Sequence, residues 1–465
     1  MGQIPGRPVK LLPGREVLIR VLLIFNNQGP FTGPDKNQPD MKNPILSGLF
    51  LLLFAGLLTA QQPNSYALVV EGFDWGPAVN KVVLDLGQTT DSLPEGSFSV
   101  YATRSTDLAE IPAAFASGER TVVGSYLSDA SGTRTESGSH LTLVLAVGPQ
   151  MPLGSPFQYA NNDKVRGNFW VDYRVAVTHT PSLRTWNQKS GQVLPLVDRF
   201  DLGGRFEYSP GQMMSYASYT PPAASVKKPL IIWLHGGGEG GTDPTIALLG
   251  NRAANYASDE IQQYFGGAYV LVPQAPTFWM NKEGGGYTRG DAEDIYHVGL
   301  MALIRDYVAN HPQVDPDRIY VGGCSNGGYM SLKLLLKNPD FFAAAYISAL
   351  AYQSQYLTDE QIRSIRKVPI WFIHAKDDPV TVPDQTVVPV YQRLKSAGAR
   401  NLHFSYYEHV VDITNLYGGN DFRYSGHWSW IYSHANQATR DFDGNPVMSG
   451  GRPVTVMQWL AAQRK

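Results

Sequence analysis

The chain has 465 residues, 38 of them basic and 40 acidic, for a formal net charge of −2. That balance excludes the basic excess with which nucleic-acid binders neutralise phosphates, and 43% hydrophobic with 11% aromatic residues excludes a disordered chain. A single cysteine, Cys324, excludes an intramolecular disulfide and a cysteine-based zinc cluster.

At about 100–200 residues per domain, the length predicts two or three domains. Residues 1–40 read as an upstream extension, with Met41 as the true start. Residues 41–60 then carry the parts of a secretory signal: Lys42, an apolar run from Ile45 to Leu58, and a small-residue exit at Thr59-Ala60. The run is 14 residues long, short of the roughly 20 that cross a bilayer, so no stable membrane anchor is expected. Loss of residues 1–60 removes six basic and three acidic side chains and moves the net charge from −2 to −5. A mildly acidic chain without disulfides fits an extracellular or periplasmic protein.

Residues 61–190 read as an all-β sandwich. SYALVVEGF, KVVLDL, SFSVYAT, TVVGSYLS, HLTLVLAV and VDYRVAVTH are short β-branched or aromatic runs separated by turn residues such as Leu93-Pro94-Glu95-Gly96 and Ser131-Gly132. The polar, turn-rich stretch 181–200 reads as the boundary. Residues 191–465 alternate apolar strands (PLIIWL, AYVLVP, RIYVGG, AAAYISAL, VPIWFIHA) with helical patterns, which predicts a mostly parallel sheet covered on both faces. One such helix is expected from Asp291 to Asn310, burying Ile295, Val298, Met301, Ala302, Ile304 and Val308.

The chemistry centres on Gly323-Cys324-Ser325-Asn326-Gly327, a G-x-S-x-G between a strand and an amphipathic helix. In that context the serine sits on a sharp turn with its hydroxyl exposed. A hydroxyl needs a base, and the base an orienting acid. Asp377 and Asp378 both follow the strand VPIWFIHA and both qualify. Of the histidines beyond them, His403 and His409 lie in a strand-like run. His427, in a loop rich in glycine and aromatics, is favoured over His409 and His434. The run His235 to Gly241 supplies fixed backbone donors for an oxyanion: Gly237, with Gly238 next, opposite the N–H of Asn326. No Gly-Lys-Ser/Thr follows it, so a phosphate loop is not expected. Cys324 reads as a small buried residue rather than a nucleophile. Trp279, Trp428 and Tyr329 are candidates for substrate contact, with ordinary packing as the competing reading.

Together these segments resemble the α/β-hydrolase superfamily. Within it they are similar to secreted esterases of the predicted-peptidase and polyhydroxybutyrate-depolymerase/feruloyl-esterase-like branch, over about residues 195–465. The motifs are Leu234 to Glu239 (LHGGGE), Pro273-Gln274 with Trp279, Asp315 to Tyr320 (DPDRIY), His374 to Val380 (HAKDDPV), and Gly426-His427 with Trp430. Asn326 departs from the family, where Met or Ala is frequent. The segment Asp74 to Val79 is similar to the Ig-like N-terminal domain of some of these esterases. The resemblance aligns the acid with Asp378. It implies an α/β-hydrolase fold behind an Ig-like sandwich and a Ser325–His427–Asp378 triad that works through an acyl-enzyme. It implies no metal and no organic cofactor. The substrate would be a small or polymeric ester, of short-chain, aryl/feruloyl or polyester type. A serine peptidase with the same triad is the alternative, and an inactive binding protein a second rival. The front domain is a candidate binding module or homo-oligomer contact. With no long insertion between the core strands, an open site without a large lid is expected.

Overall fold

The computed structural model describes residues 64–223 and 225–465. The signal-like segment 41–60 and the extension before it lie outside the described residues. The first half is built from eleven strands: β1 (Ser65–Phe73), β2 (Gly76–Thr90), β3 (Phe98–Ser105), β4 (Ser117–Arg120), β5 (Val122–Ser128), β6 (Gly138–Leu145), β7 (Phe157–Asn161), β8 (Arg166–Trp170), β9 (Asp172–His179), β10 (Thr185–Trp186) and β11 (Gln188–Val193). Alternation decides which face each strand buries. In β3 and β9, antiparallel neighbours in one sheet, every second residue points inward, Val100 and Ala102 lying beside Val177 and Val175 on the face turned to the sandwich core. One sheet runs β11-β1-β2-β6-β5 and the other β10-β9-β3-β4, while β7 and β8 form a separate two-stranded hairpin. A buried tyrosine links the two sheets: Tyr66 on β1 accepts a 2.9 Å hydrogen bond from the backbone N–H of Val175 on β9.

The stretch read as a boundary is partly strand. β11 pairs in parallel with β1 and extends the first sheet. Its sequence, QKSGQV, sits at an edge with mostly exposed side chains, so it carries no apolar pattern to read.

The second half is one eight-stranded sheet. Its strands are β12 (Asp201–Ser209), β13 (Gln212–Tyr219), β14 (Lys228–Leu234), β15 (Tyr269–Gln274), β16 (Val314–Cys324), β17 (Ala344–Ser348), β18 (Ile370–Ala375) and β19 (Leu402–Tyr407), in the order β12-β13-β15-β14-β16-β17-β18-β19. The β12–β13 hairpin joins antiparallel, and every pairing from β15 to β19 is parallel. Strands β15, β17 and β18 are buried along their whole length, as a sheet covered on both faces requires. The expected helix starts later and turns a partly different face: it spans His297–Asn310 and buries the expected Met301 and, in one stripe, Leu300, Leu303, Ile304 and Tyr307. That is the i, i+3, i+4, i+7 stripe. Ile295 precedes the helix, and Val298 is 69% exposed.

Both halves belong to one compact unit, Gln62–Lys465. Among the described residues no helix is long and apolar enough to cross a membrane. Tyr66→Phe would leave the buried N–H of Val175 without its acceptor, at a cost of about 1–3 kcal/mol. The urea unfolding midpoint of the sandwich, followed by tryptophan fluorescence, is expected to fall accordingly.

Candidate active site

Strand β16 ends at Cys324 and the helix Asn326–Lys337 begins two residues later, leaving Ser325 alone to make the turn. It does so at φ +53° and ψ −110°, a region that costs a non-glycine residue about 1–3 kcal/mol. The turn is held from both sides: Ser325 N–H donates to the Ser348 carbonyl at 3.1 Å, and its own carbonyl accepts from Tyr329 N–H at 2.9 Å. Gly327 must be glycine, because a Cβ there would stand 1.9 Å from the Leu234 carbonyl oxygen.

Three distant segments meet at that turn. His427 Nε2 lies 3.0 Å from Ser325 Oγ, and its Nδ1 lies 2.9 Å and 3.1 Å from the two carboxylate oxygens of Asp378. With Nδ1–H donating to the carboxylate, Nε2 is left to accept from the serine hydroxyl. Asp378 is buried and its carboxylate is richly supplied with donors. Val380 N–H and Thr381 N–H reach Oδ1 at 2.8 and 3.0 Å, Thr381 O–H reaches Oδ2 at 2.7 Å, and His374 Nε2 stands 3.0 Å from Oδ2. Burial alone would raise its pKa, but the bonds from His374 and His427 outweigh burial and hold the carboxyl well below the usual carboxylate range. His374 opens the acid motif but was given no role from the sequence, and Thr381 was not singled out; both act on Asp378 through the folded loop.

The alternatives lie elsewhere. Asp377 pairs with His409 at 2.7 Å, and His403 with Asp441 at 2.8 Å. The His434 ring is buried among aromatic rings, its nitrogens without a hydrogen-bond partner among the described residues, and burial lowers its pKa to about 3.

The loop after β14 faces the serine. The N–H groups of Gly237 and Asn326 have no acceptor among the described residues. Gly237 stands beside Asn326, since a Cβ on it would lie 3.2 Å from Asn326 Nδ2. The Asn326 side chain has a task of its own: Oδ1 accepts from Met280 N–H at 2.9 Å and ties down the segment after β15. His235 is fully buried, accepts from Ala275 N–H at Nε2 (3.0 Å), and is kept neutral because burial lowers its pKa to about 4. Glu239 is also buried, and its pKa is pushed up to about 7 by that burial, opposed by a hydrogen bond from Asn168. Cys324 points away into the core, its thiol raised by burial. Among the described residues, one group has the spacing of a metal site, Glu293, Asp294 and His297. Its Glu293 already pairs with Lys333 and Lys337.

Two cavities, about 410 and 560 Å³, share Ser325, His427, Gly237, Gly238 and Tyr159. Trp75, Phe157, Trp428 and Trp430 line the first; Met280, Tyr287, Val380 and Val382 are among those lining the second. Of the three expected aromatics, Trp428 therefore borders the site. Trp279 and Tyr329 are fully buried and line neither cavity. Trp279 packs against His235, and Tyr329 stacks on Tyr352, a helical turn below the serine. Nor is the site bare: Trp75, Phe157 and Tyr159 come from the front sandwich and its hairpin.

Residues 65–192 match the family described as the esterase Ig-like N-terminal domain, and residues 299–362 match the prolyl oligopeptidase family. A solved structure described as a thermostable esterase superposes with a TM-score of 0.66 at 23% identity, over 86% of this chain and 100% of that one. The chain carries an α/β-hydrolase fold behind an esterase Ig-like domain. A poly(3-hydroxybutyrate) depolymerase of Ralstonia pickettii is 28% identical over 167 residues, 35% of this chain and 32% of that protein. Feruloyl esterase B of Neurospora crassa is 30% identical over 139 residues, 29% of this chain and 44% of that protein. The chain thus spans less than half the length of these curated relatives.

The depressed pKa of Asp378 predicts a pH signature. A carboxylate lowered by folding contributes stability that is present in full above the unfolded value, near pH 4, and is lost as pH falls toward the folded value. The difference in Tm between the wild type and Asp378→Asn is expected to be constant above about pH 5 and to narrow below about pH 4. A thermal-melt series from pH 2 to 8 measures it.

Proposed function

We propose that this protein is a secreted serine hydrolase of carboxylic esters. The observation that carries the reading is the hydrogen-bonded chain from Asp378 through His427 to Ser325, with links of 2.9 and 3.0 Å, beside two unpaired backbone N–H groups. Ser325 Oγ attacks the ester carbonyl as His427 Nε2 takes its proton, and Asp378 steadies the imidazolium. The N–H groups of Gly237 and Asn326 receive the oxyanion. The tetrahedral intermediate collapses with cleavage of the bond to the alkoxy oxygen, and His427 returns the proton to the departing alcohol. Water, deprotonated by His427, then attacks the acyl-serine and releases the acid.

The aromatic cavity formed by Trp75, Phe157, Trp428 and Trp430 favours an ester with an aryl or other flat apolar group. The name of one curated relative, a feruloyl esterase, points the same way, while that of the other, a poly(3-hydroxybutyrate) depolymerase, points to an aliphatic polyester. Secretion rests on the charge–apolar–small pattern of residues 41–60. Peptide hydrolysis is the second reading, favoured by the prolyl oligopeptidase match over residues 299–362.

The test is release of p-nitrophenol from acetyl, butyryl and feruloyl esters, with the matching p-nitroanilides alongside. Wild type is expected to turn over the esters, and Ser325→Ala to lose a factor of about 10³ or more in kcat. Folded wild type that is inert on esters, or an alanine variant that keeps its activity, overturns the reading. Faster cleavage of the anilides moves the assignment to a peptidase.

A further inference from the structure

We propose that the β7–β8 hairpin of the front domain is a working part of the active site, with Asn168 as the positioning residue of the oxyanion loop. The inference rests on the ester-hydrolase reading above. An oxyanion donor is effective only if it is aimed before the charge develops. Glycine-rich backbone has little stiffness of its own. The loop His235 to Gly241 therefore needs external holds. Its ends have them: Gly236 N–H donates to Asn251 Oδ1 at 3.2 Å, Gly241 N–H donates to the Ala275 carbonyl at 2.8 Å, and the Glu239 carbonyl accepts from Gln274 Nε2 at 2.9 Å.

The middle of the loop is held from the other domain. Asn168 N–H donates to the Gly238 carbonyl at 2.7 Å, and Asn168 Nδ2 donates to Glu239 Oε1 at 2.9 Å. One residue thus fixes both the peptide that follows Gly238 and the buried carboxyl beneath it. The Glu239 side chain is tucked under the loop, close enough that a Cβ on Gly236 would stand 2.9 Å from its Oε2. So close an approach requires the residue before Asn168 to be glycine: Gly167 has φ +108°, and a Cβ on it would lie 2.6 Å from the Gly238 carbonyl oxygen.

The hairpin itself is firmly seated. Trp170 Nε1 donates to Thr245 Oγ1 at 2.9 Å, and the Arg166 guanidinium lies over the rings of Phe278 and Tyr287 at 3.9 and 4.7 Å. Its other strand presents Tyr159, which lines both cavities at Ser325. β7 and β8 pair only with each other and join neither sandwich sheet. They reach from the front domain onto the catalytic loop, with Phe157 and Phe169 anchored in the buried core.

The test uses the full chain with Asn168→Ala, Asn168→Asp and, as a control on the exposed outer face of the same domain, Arg174→Ala. Readouts are kcat and KM on a p-nitrophenyl ester, inhibition by a trifluoromethyl ketone that forms the oxyanion, and Tm. Both Asn168 variants are expected to lose about 10- to 100-fold in kcat with KM within about threefold. Affinity for the ketone should fall in parallel, with Tm close to that of Arg174→Ala. Unchanged kcat and ketone affinity in both variants, or activity lost only in step with Tm, overturns the proposal. An inert wild type would instead overturn the esterase reading, and this inference with it; an active wild type beside fully active Asn168 variants overturns this one alone.

Discussion

The left-handed backbone of Ser325 is the constraint on which the site is built. A serine adopts φ +53° only where its surroundings over-determine it, and here they do. β16 is clamped in parallel register between β14, where Gly323 pairs with Leu234, and β17, where Cys324 pairs with Ser348. The strand therefore cannot relax, the helix Asn326–Lys337 must start at once, and the hydroxyl is driven out over the sheet edge. The same parallel order brings the C-terminal ends of β14 and β18 to that edge. The glycine loop and Asp378 arrive there without any further device, as open parallel sheets place their ligand-binding loops.

Two buried carboxyls near the serine are treated in opposite ways. Asp378 receives two backbone N–H groups, a hydroxyl and two imidazoles, and is held charged. Glu239 meets burial as its dominant influence, and its pKa rises to about 7. A full negative charge is thus held on the Asp378 side of His427, where an imidazolium would form during reaction. The glycine loop opposite, where an oxyanion would form, is underlain by a carboxyl far more readily neutralised. A fully charged carboxylate under the oxyanion donors would oppose the negative charge they are to stabilise.

What the sequence made legible was local. The G-x-S-x-G turn, the strand before it and the helix after it are contiguous, and the sandwich strands with apolar alternation are marked by their own residues. What stayed hidden depends on partners far along the chain. Asp377 and Asp378 are equivalent as neighbours on one turn; the motif resemblance favoured Asp378, and the fold sends Asp377 to His409 and Asp378 to His427. β11 is polar because it lies at an edge. The buried face of the helix His297–Asn310 was read only in part: Met301 and Ile304 are buried, but Val298 and Ala302 are apolar yet exposed. Trp279 and Tyr329 look like rim aromatics by proximity in sequence, but the tight packing beneath the elbow takes both.

The front domain changes the expectation of an open site. Without a long insertion between the core strands, an open trough over Ser325 was expected, suited to any chain able to lie across it. Instead Trp75, Phe157 and Tyr159 supply walls from outside the catalytic sheet, and Tyr159 stands between two separate spaces that meet at the serine. In ester hydrolysis the two sides of the scissile bond leave at different steps, the alcohol first and the acid second. A site divided at the nucleophile can therefore select each side on its own terms. The aromatic space would favour flat groups, and the second, lined by Met280, Val380, Val382 and the Tyr287 ring, would take a more flexible aliphatic segment. On this geometry the hairpin that carries the Tyr159 wall also carries Asn168, so an exchange of the hairpin would disturb the glycine loop together with both cavities.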